Sequence, residues 1–439
     1  MDNPRAVRIH SRRTSPGASL RTTFPVTGAA LVILLALARP AGAQDRVRVV
    51  VRFHDTAAFD RFTDDFVGDS RTTSGNAPTY HRREVVGAAQ RLERRHGFRA
   101  TNFYSHAIKG FAAELTRAQL RIVESDPLVE SVEIEHVIAL DPIAPALDSS
   151  QIVAWGIPTI GADVNSTQAG NGEGAVNTPP IYIVDTGIDL THPDLNVIDH
   201  MSFVSGPNTD CYGHGTGVAG IAAARDNDIY TVGVAPGAPL VGVKVFTCAG
   251  ITLPSIVIQA LDWLTATAVK PAVVNLSLGS AIPLAASNAA ARNAAASGLL
   301  LAIAAGNGNP FTGEPMNACL TSPAAAGFLF GIPNGIITTA ATDIEDAEGS
   351  FSNYGECVDI WAPGVALTST WLMSEGGTIT ASGTSFASPY VAGAAALLLS
   401  HAPTLTPPLI ERIIQATATT TGTLSRDGRA IRRLSVVQY

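Results

Sequence analysis

ASGTSFASPYVAG, residues 381–393, sets Ser385 after a Gly-Thr step and ahead of an apolar, helix-like run. A serine at such a place commonly does no more than cap its helix. The segments upstream give it a setting: IYIVD 181–185, LVGVKVF 240–246, AVVNLSL 272–278, LLLAIAA 299–305 and GIITTAA 335–341 are short and continuously apolar. Helical patterns separate them, one from about 213, others over about 254–269 and 284–297, and the last after Ser385. Strands without a polar face, alternating with helices, predict an α/β fold: a parallel sheet with helices on both faces. Ligands of such sheets bind at the carboxyl ends of the strands, where Asp185 and Asn307 both fall.

Working toward the amino terminus, the character of the chain changes. Residues 1–140 carry a net charge of +5 and residues 141–439 a net of −13. The acidic part has no basic stripe to hold phosphates, which argues against nucleic acid as a partner. Residues 46–140 read as strand (VRVVVRF), helix (TAAFDRFTDDF), helix (VVGAAQRLERRH), strand region (YSHAIKGFAAEL), helix (TRAQLRIVES) and strand (VESVEIEHVIAL), the makings of a small α/β domain. From Asp141 to Val153 the composition is rich in Pro, Ser and Ala and reads as a linker. Ahead of all this stand Arg5, Arg8, Arg12, Arg13 and Arg21, the apolar VTGAALVILLALA at 26–38 and AGA at 41–43. That order is a secretory signal peptide over residues 1–43, with an SRR hint of a twin-arginine route; the apolar run is too short to span a bilayer. A secreted protein, free of the membrane once the signal is removed, is expected. Cys211, Cys248, Cys319 and Cys357 follow the signal, and their even number in an exported chain reads as disulfides with three pairings open. Their wide spacing does not suit a zinc knuckle.

Four polar signals converge at the strand ends: DTGID 185–189, DCYGHGTGVAG 210–220, AAGNG 304–308 and SGTSFASP 382–389. Serine hydrolysis needs a base within reach of the hydroxyl and a carboxylate to hold that base in one tautomer, and the chain offers them in the order Asp185, His214, Ser385. GTSFA is not the G-x-S-x-G elbow, which argues against an α/β-hydrolase esterase. GNGEG at 170–174 lacks the preceding strand that a nucleotide loop requires.

Over nearly all of 155–420 these motifs resemble the subtilisin-like serine proteases, in their proteinase K-like branch. The resemblance implies a secreted serine endopeptidase made as a self-processing zymogen, with Ser385 as nucleophile, His214 as base and then acid, Asp185 as its partner and Asn307 as oxyanion donor. It implies that Ser277, Leu278 and Gly279 pair with an extended polypeptide, that Ala304, Ala305 and Gly306 line the primary pocket, and that Gly250-Ile251-Thr252 forms the opposing strand. The domain at 44–148 is similar to the family's inhibitory propeptides, with a catalytic domain over 149–439 and the mature N-terminus within 141–153; its partners would be substrates and its own propeptide, on a monomer. The cysteines would pair Cys211–Cys248 and Cys319–Cys357. No cofactor is needed for the chemistry, while Asp359 matches a calcium-ligating aspartate despite an insertion around 327–335. Departures are Gly217 where the family has a second histidine, and Phe386, Ser388 and Tyr390 where Met, Thr and His are common. A non-catalytic peptide-binding relative and a secreted esterase on the same triad are the rival readings.

Overall fold

The computed structural model describes residues 46–54, 66–67, 81–140, 145–146, 150–327 and 331–439. The signal peptide, most of the helix expected over TAAFDRFTDDF, and part of the linker and of the insertion lie outside the described residues. Phe66, the last residue of that expected helix, belongs instead to a two-residue strand paired with Arg82.

The amino-terminal domain is a split βαβ arrangement built from β1 (Arg46–Phe53), α1 (Arg83–His96), β2 (Ala100–Tyr104), β3 (Gly110–Thr116), α2 (Arg117–Glu124) and β4 (Val129–Ile134). Its antiparallel sheet runs β2-β3-β1-β4. Helix α1 buries Val85, Val86, Ala88, Ala89 and Leu92 against Phe53, Phe103 and Phe111 and ends in Arg94, Arg95 and His96, cations that suit the negative end of its dipole. Thr116 and Gln119 form a reciprocal capping box at the start of α2. The expected strand VESVEIEHVIAL breaks after Ile134, and Ile138–Ala139 leaves the domain as a separate strand, β5. A further pair of residues, Pro145–Ala146, forms β6.

In the second domain β7 (Ile181–Asp185) is followed by a strand that was not anticipated, β8 (Val197–Ser202), and the expected elements then appear within a few residues of their sequence positions: α3 (His214–Ala223), β9 (Leu240–Lys244), β10 (Ile251–Thr252), α4 (Pro254–Thr267), β11 (Ala272–Leu276), α5 (Ala285–Ala296), β12 (Leu299–Ala304) and β13 (Ile336–Thr342). Beyond them come β14 (Ile360–Pro363), β15 (Leu367–Thr370), β16 (Thr378–Ala381), α6 (Thr384–His401), α7 (Pro407–Thr417), β17 (Thr419–Leu424) and β18 (Ala430–Arg433). The nine-stranded sheet has the order β8-β9-β7-β11-β12-β13-β14-β18-β17 and is parallel except for its last pair. Every residue of β7, β12 and β13 is buried, as strands covered on both faces must be. Helix α6 is apolar on all sides and almost wholly buried, so it forms the core of one layer rather than a surface. The linker is shorter than its composition suggests, because Ser150 and Ile152 already bridge to Ile229 and Thr231. The GNGEG loop points its backbone N–H groups of Gly170, Asn171 and Gly172 at the carboxylate of Asp226, 2.8–3.1 Å away, an internal use for the loop.

Candidate active site

Asp185 ends β7, fully buried, and its Oδ1 lies 2.8 Å from Nδ1 of His214, the first residue of α3. The same oxygen accepts from the Thr186 amide at 2.7 Å, so two donors fix it, while Oδ2 is buried without a hydrogen-bond partner. Register in the sheet puts Lys244 of β9 opposite Asp185. Its Nζ is buried and donates to the Thr186 carbonyl at 2.6 Å. Burial lowers the lysine pKa, and the carboxylates of Asp210 and Asp185 act against that shift. A carboxylate held this way fixes which imidazole nitrogen carries the proton and stabilises the imidazolium that forms when the ring takes another.

Helix α3 begins where it does because Asp210 holds its first turn. One carboxylate oxygen accepts from Tyr212 N and Gly213 N, the other from Thr216 N and Thr216 Oγ1. Trp371 packs so closely over Gly213 that a Cβ there would lie 2.3 Å from its ring.

Ser385 is the second residue of α6. Its Oγ donates to the Ser277 carbonyl at 3.1 Å. Pro389, four residues on, has no N–H to give to the Ser385 carbonyl, and the Ser277 hydroxyl fills that place at 2.6 Å. A buried relay continues from there: Asn275 Nδ2 donates to Ser277 Oγ and Ser388 Oγ to Asn275 Oδ1, each at 2.8 Å. The serine that departs from the family's threonine therefore keeps a hydroxyl in place beneath the nucleophile. Tyr390, the other nearby departure, is buried against Gly156.

Asn307 Oδ1 accepts both the backbone N–H and the hydroxyl of Thr384, each at 2.8 Å. With its oxygen committed, the amide nitrogen is turned toward Gly383, 3.2 Å from where a Cβ on that residue would stand. Glycine at 383 keeps that space open. Thr384, Asp210 and Asn275 were not singled out by sequence reasoning; an aspartate four residues before a Gly-His helix start is the one signal that could have marked Asp210.

The remaining candidate residues lie beside β10, β11 and β12. Leu278 lines an apolar pocket with Val257, Ile258, Leu261 and Ile138, the last from the amino-terminal segment. Strand β5 pairs antiparallel with β10, Ile251 opposite Ala139 and Thr252 opposite Ile138, and Leu140 N donates to the Gly250 carbonyl at 2.9 Å. Strand β6 pairs with β16, Thr378 opposite Ala146. Gly279 lies beside the Ser322 carbonyl. Ala304 and Ala305 are buried at the end of β12, and Gly306 donates to Thr384 Oγ1 at 3.0 Å. Cys211–Cys248 and Cys319–Cys357 are bonded, the first joining the Asp210 loop to the chain just before Gly250.

Asp359 lies elsewhere, immediately before β14. Its Oδ2 accepts from Thr338 N at 2.8 Å and its Oδ1 from Gln415 Nε2 at 3.2 Å. Gln415 also reaches Glu411 Oε1, so an amide stands between the two carboxylates. Each oxygen of Asp359 thus has one N–H partner. Among the described residues no group of three or more His, Cys, Asp or Glu side chains could hold a metal ion. No helix among the described residues is long and apolar enough to cross a membrane.

Residues 177–430 match the Subtilase family and residues 49–141 the Peptidase inhibitor I9 family. The chain is 37% identical to the extracellular serine proteinase of Thermus sp. (strain Rt41A), over 71% of each chain. It is 36% identical to the cuticle-degrading protease of Metarhizium anisopliae, over 72% of this chain and 77% of that one. With alkaline serine exoprotease A of Vibrio alginolyticus the identity is 35% over 76% of this chain, and the match spans 59% of that longer protein. A crystal structure of a cold adapted subtilisin-like serine proteinase superposes with a TM-score of 0.55 at 34% identity, covering 64% of this chain and 97% of that one. The parallel sheet, the inhibitor domain packed on helices α4 and α5 and these matches together place the chain in the subtilase family, as a subtilisin-like serine protease carrying its own I9 propeptide.

Proposed function

We propose that the protein is a secreted serine endopeptidase that releases itself from its propeptide. Ser385 Oγ attacks the scissile carbonyl while His214 takes its proton; His214 then returns that proton to the leaving amine, and water repeats the cycle on the acyl-enzyme. Asp185 keeps the imidazole in its tautomer. The developing oxyanion is received by Asn307 Nδ2 and the Ser385 backbone N–H; losing such a side-chain donor costs about 10²–10³ in turnover, a magnitude that comes from subtilisin itself.

The observation that carries this reading is the double pairing of the chain with its own cleft. Strand β5 lies on β10, β6 lies on the strand that leads to Ser385, and only residues 141–144 separate the two paired segments. The chain is thus paired with the catalytic domain both before and after residues 141–144, which supports a maturation cut within 141–153. Ile138 buried in one apolar cluster with Leu278, Val257 and Leu261 supports a preference for branched aliphatic side chains at the corresponding substrate position.

The test is expression of Ser385→Ala in a host without other proteases. The variant should accumulate as the uncut precursor and resist a fluorophosphonate probe that labels the wild type. Wild-type maturation of the variant would overturn self-processing, and labelling of the variant would overturn the assignment of Ser385.

A further inference from the structure

The residue after the nucleophile is a phenylalanine, and its ring does not point away from the chemistry. Phe386 is 1% exposed and meets the His214 imidazole edge to face, with ring centroids 5.7 Å apart and planes at 72°. One stiff side chain on α6 therefore touches the base carried by α3.

What allows the contact lies on α3 itself. Residues three apart on a helix share a face, so a side chain at 217 would rise beside His214. Position 217 is glycine, and a Cβ built there would stand 3.3 Å from Phe386 Cε1, 3.3 Å from the Thr370 carbonyl and 3.5 Å from Trp371 Cε3. Those three neighbours already occupy the space. Gly217 is also held, since its carbonyl accepts the Ser369 hydroxyl at 2.6 Å. Its neighbours Gly213 and Gly220 face closer walls, with a Cβ meeting Trp371 at 2.3 Å and Thr370 Oγ1 at 2.2 Å. Only at 217 is the opposing surface the ring that reaches the imidazole.

We infer that Phe386 is a positioning residue for His214, and that Gly217 is the matching absence that lets its ring reach the imidazole. An aromatic ring with two torsions loses little freedom on packing and, lying against the imidazole, resists its tilting away from the bond to Asp185. A base that must accept a proton from Ser385 in one phase and deliver it to the leaving group in the next gains from such a restraint on turnover, not on substrate binding. The inference rests on the endopeptidase reading; peptide turnover by the wild type in the same assay tests that reading separately.

A double-substitution cycle on the mature enzyme provides the test. Phe386→Leu, which keeps bulk and removes the ring, should lower kcat roughly tenfold with KM within about twofold. Gly217→Ala should lower kcat about fivefold in the wild type, because its Cβ displaces the ring by a few tenths of an ångström, and by less than about 1.5-fold in the Phe386→Leu background. The downfield proton resonance of the Asp185–His214 hydrogen bond should shift in both single variants. Should Gly217→Ala not fold, Phe386→Leu and Phe386→Met decide through kcat, KM and that resonance alone. Independent, multiplicative effects of the two substitutions, a KM change as large as the kcat change, or an unmoved resonance would each overturn the inference.

Discussion

Gly213 before α3, Leu253 before α4, Leu284 before α5 and Gly383 before α6 are four helix starts of the catalytic domain at which the residue's own side chain gives no cap. Their free N–H groups are satisfied from two different sources. Those of α3 and α6, which carry His214 and Ser385, are held by Asp210 and Asn307, residues of the same domain. Those of α4 and α5 are held by the inhibitor domain: Glu135 accepts from Ser255 N and Ser255 Oγ, and Glu133 from Ala285 N and Ala286 N, at 2.6–3.1 Å. Asp262 inside α4 returns the interaction by accepting from the backbone of Ser105, His106 and Ala107. The machinery that must outlive the propeptide is capped from within, and the helices that dock the propeptide take their caps from it. Removal of the inhibitor domain therefore costs stability at α4 and α5 while leaving the catalytic helices intact.

The sharpest way to break this division is at Asp210. Asp210→Asn keeps the shape but presents an amide N–H₂ toward Thr216 N–H, two donors facing each other at the start of the helix that bears His214. Mature activity should fall by about 10²-fold in kcat/KM, equivalent to roughly 2.7 kcal/mol of transition-state stabilisation. Binding of the inhibitor domain should change little. Steady-state kinetics beside an inhibition assay would read both, and an equal loss in the two would show that the helix starts are not separable.

The opposite substitution is Glu133→Ala with Glu135→Ala, placed in the uncut Ser385→Ala precursor. Each lost cap should cost about 1–2 kcal/mol. The thermal midpoint of the precursor should then drop by about 2–5 °C for a chain of this size. Mature enzyme obtained from the same pair of substitutions on an active chain should keep its kcat within about twofold, since Asp210 and Asn307 are untouched. A midpoint that does not move would mean that solvent caps α4 and α5 as well as the glutamates do.

How much of this could be read from the chain follows from the range of each interaction. The α/β alternation, β7 and β12, and the Asp185, His214 and Ser385 motifs are local patterns, and each appears where its own few residues put it. Strands β8 and β14–β18 escaped because they are short, partly polar or at the sheet margin, where partners rather than periodicity decide pairing. The caps by Glu133 and Glu135 join residues 120–153 positions apart, and no local signal marks them. The partners of Asp359, Thr338 N and Gln415 Nε2, likewise come from distant segments that no local signal joins to it.

The smallest expected effect separates two kinds of buried carboxylate. Glu135 and Glu411 each accept from backbone N–H groups and each is almost fully buried, Glu411 taking Asn334 N and Gly335 N at 2.7 Å. Glu135 has Arg48 beside it, Nε 3.1 Å from Oε1, whereas Glu411 has Asp359. Burial first, and then the like charge of Asp359, pushes Glu411 up to about 8 from an ordinary 4.5, and burial pushes Asp359 up to about 7. Because the folded value lies above the unfolded one, the folded chain holds the Glu411 proton more tightly. The stability this confers is complete below about pH 4.5 and is lost as the pH rises through about 8. Glu411→Gln keeps an oxygen for the two N–H groups and never ionises. It should leave the thermal midpoint unchanged near pH 5 and raise it by about 2–5 °C near pH 9. Melting curves of the Ser385→Ala precursor across that range, with and without Glu411→Gln, would show converging midpoints in acid and diverging ones in base. Parallel curves would mean that Glu411 is charged throughout and that the Gln415 amide between the two carboxylates, with the backbone donors, is enough to hold both anions.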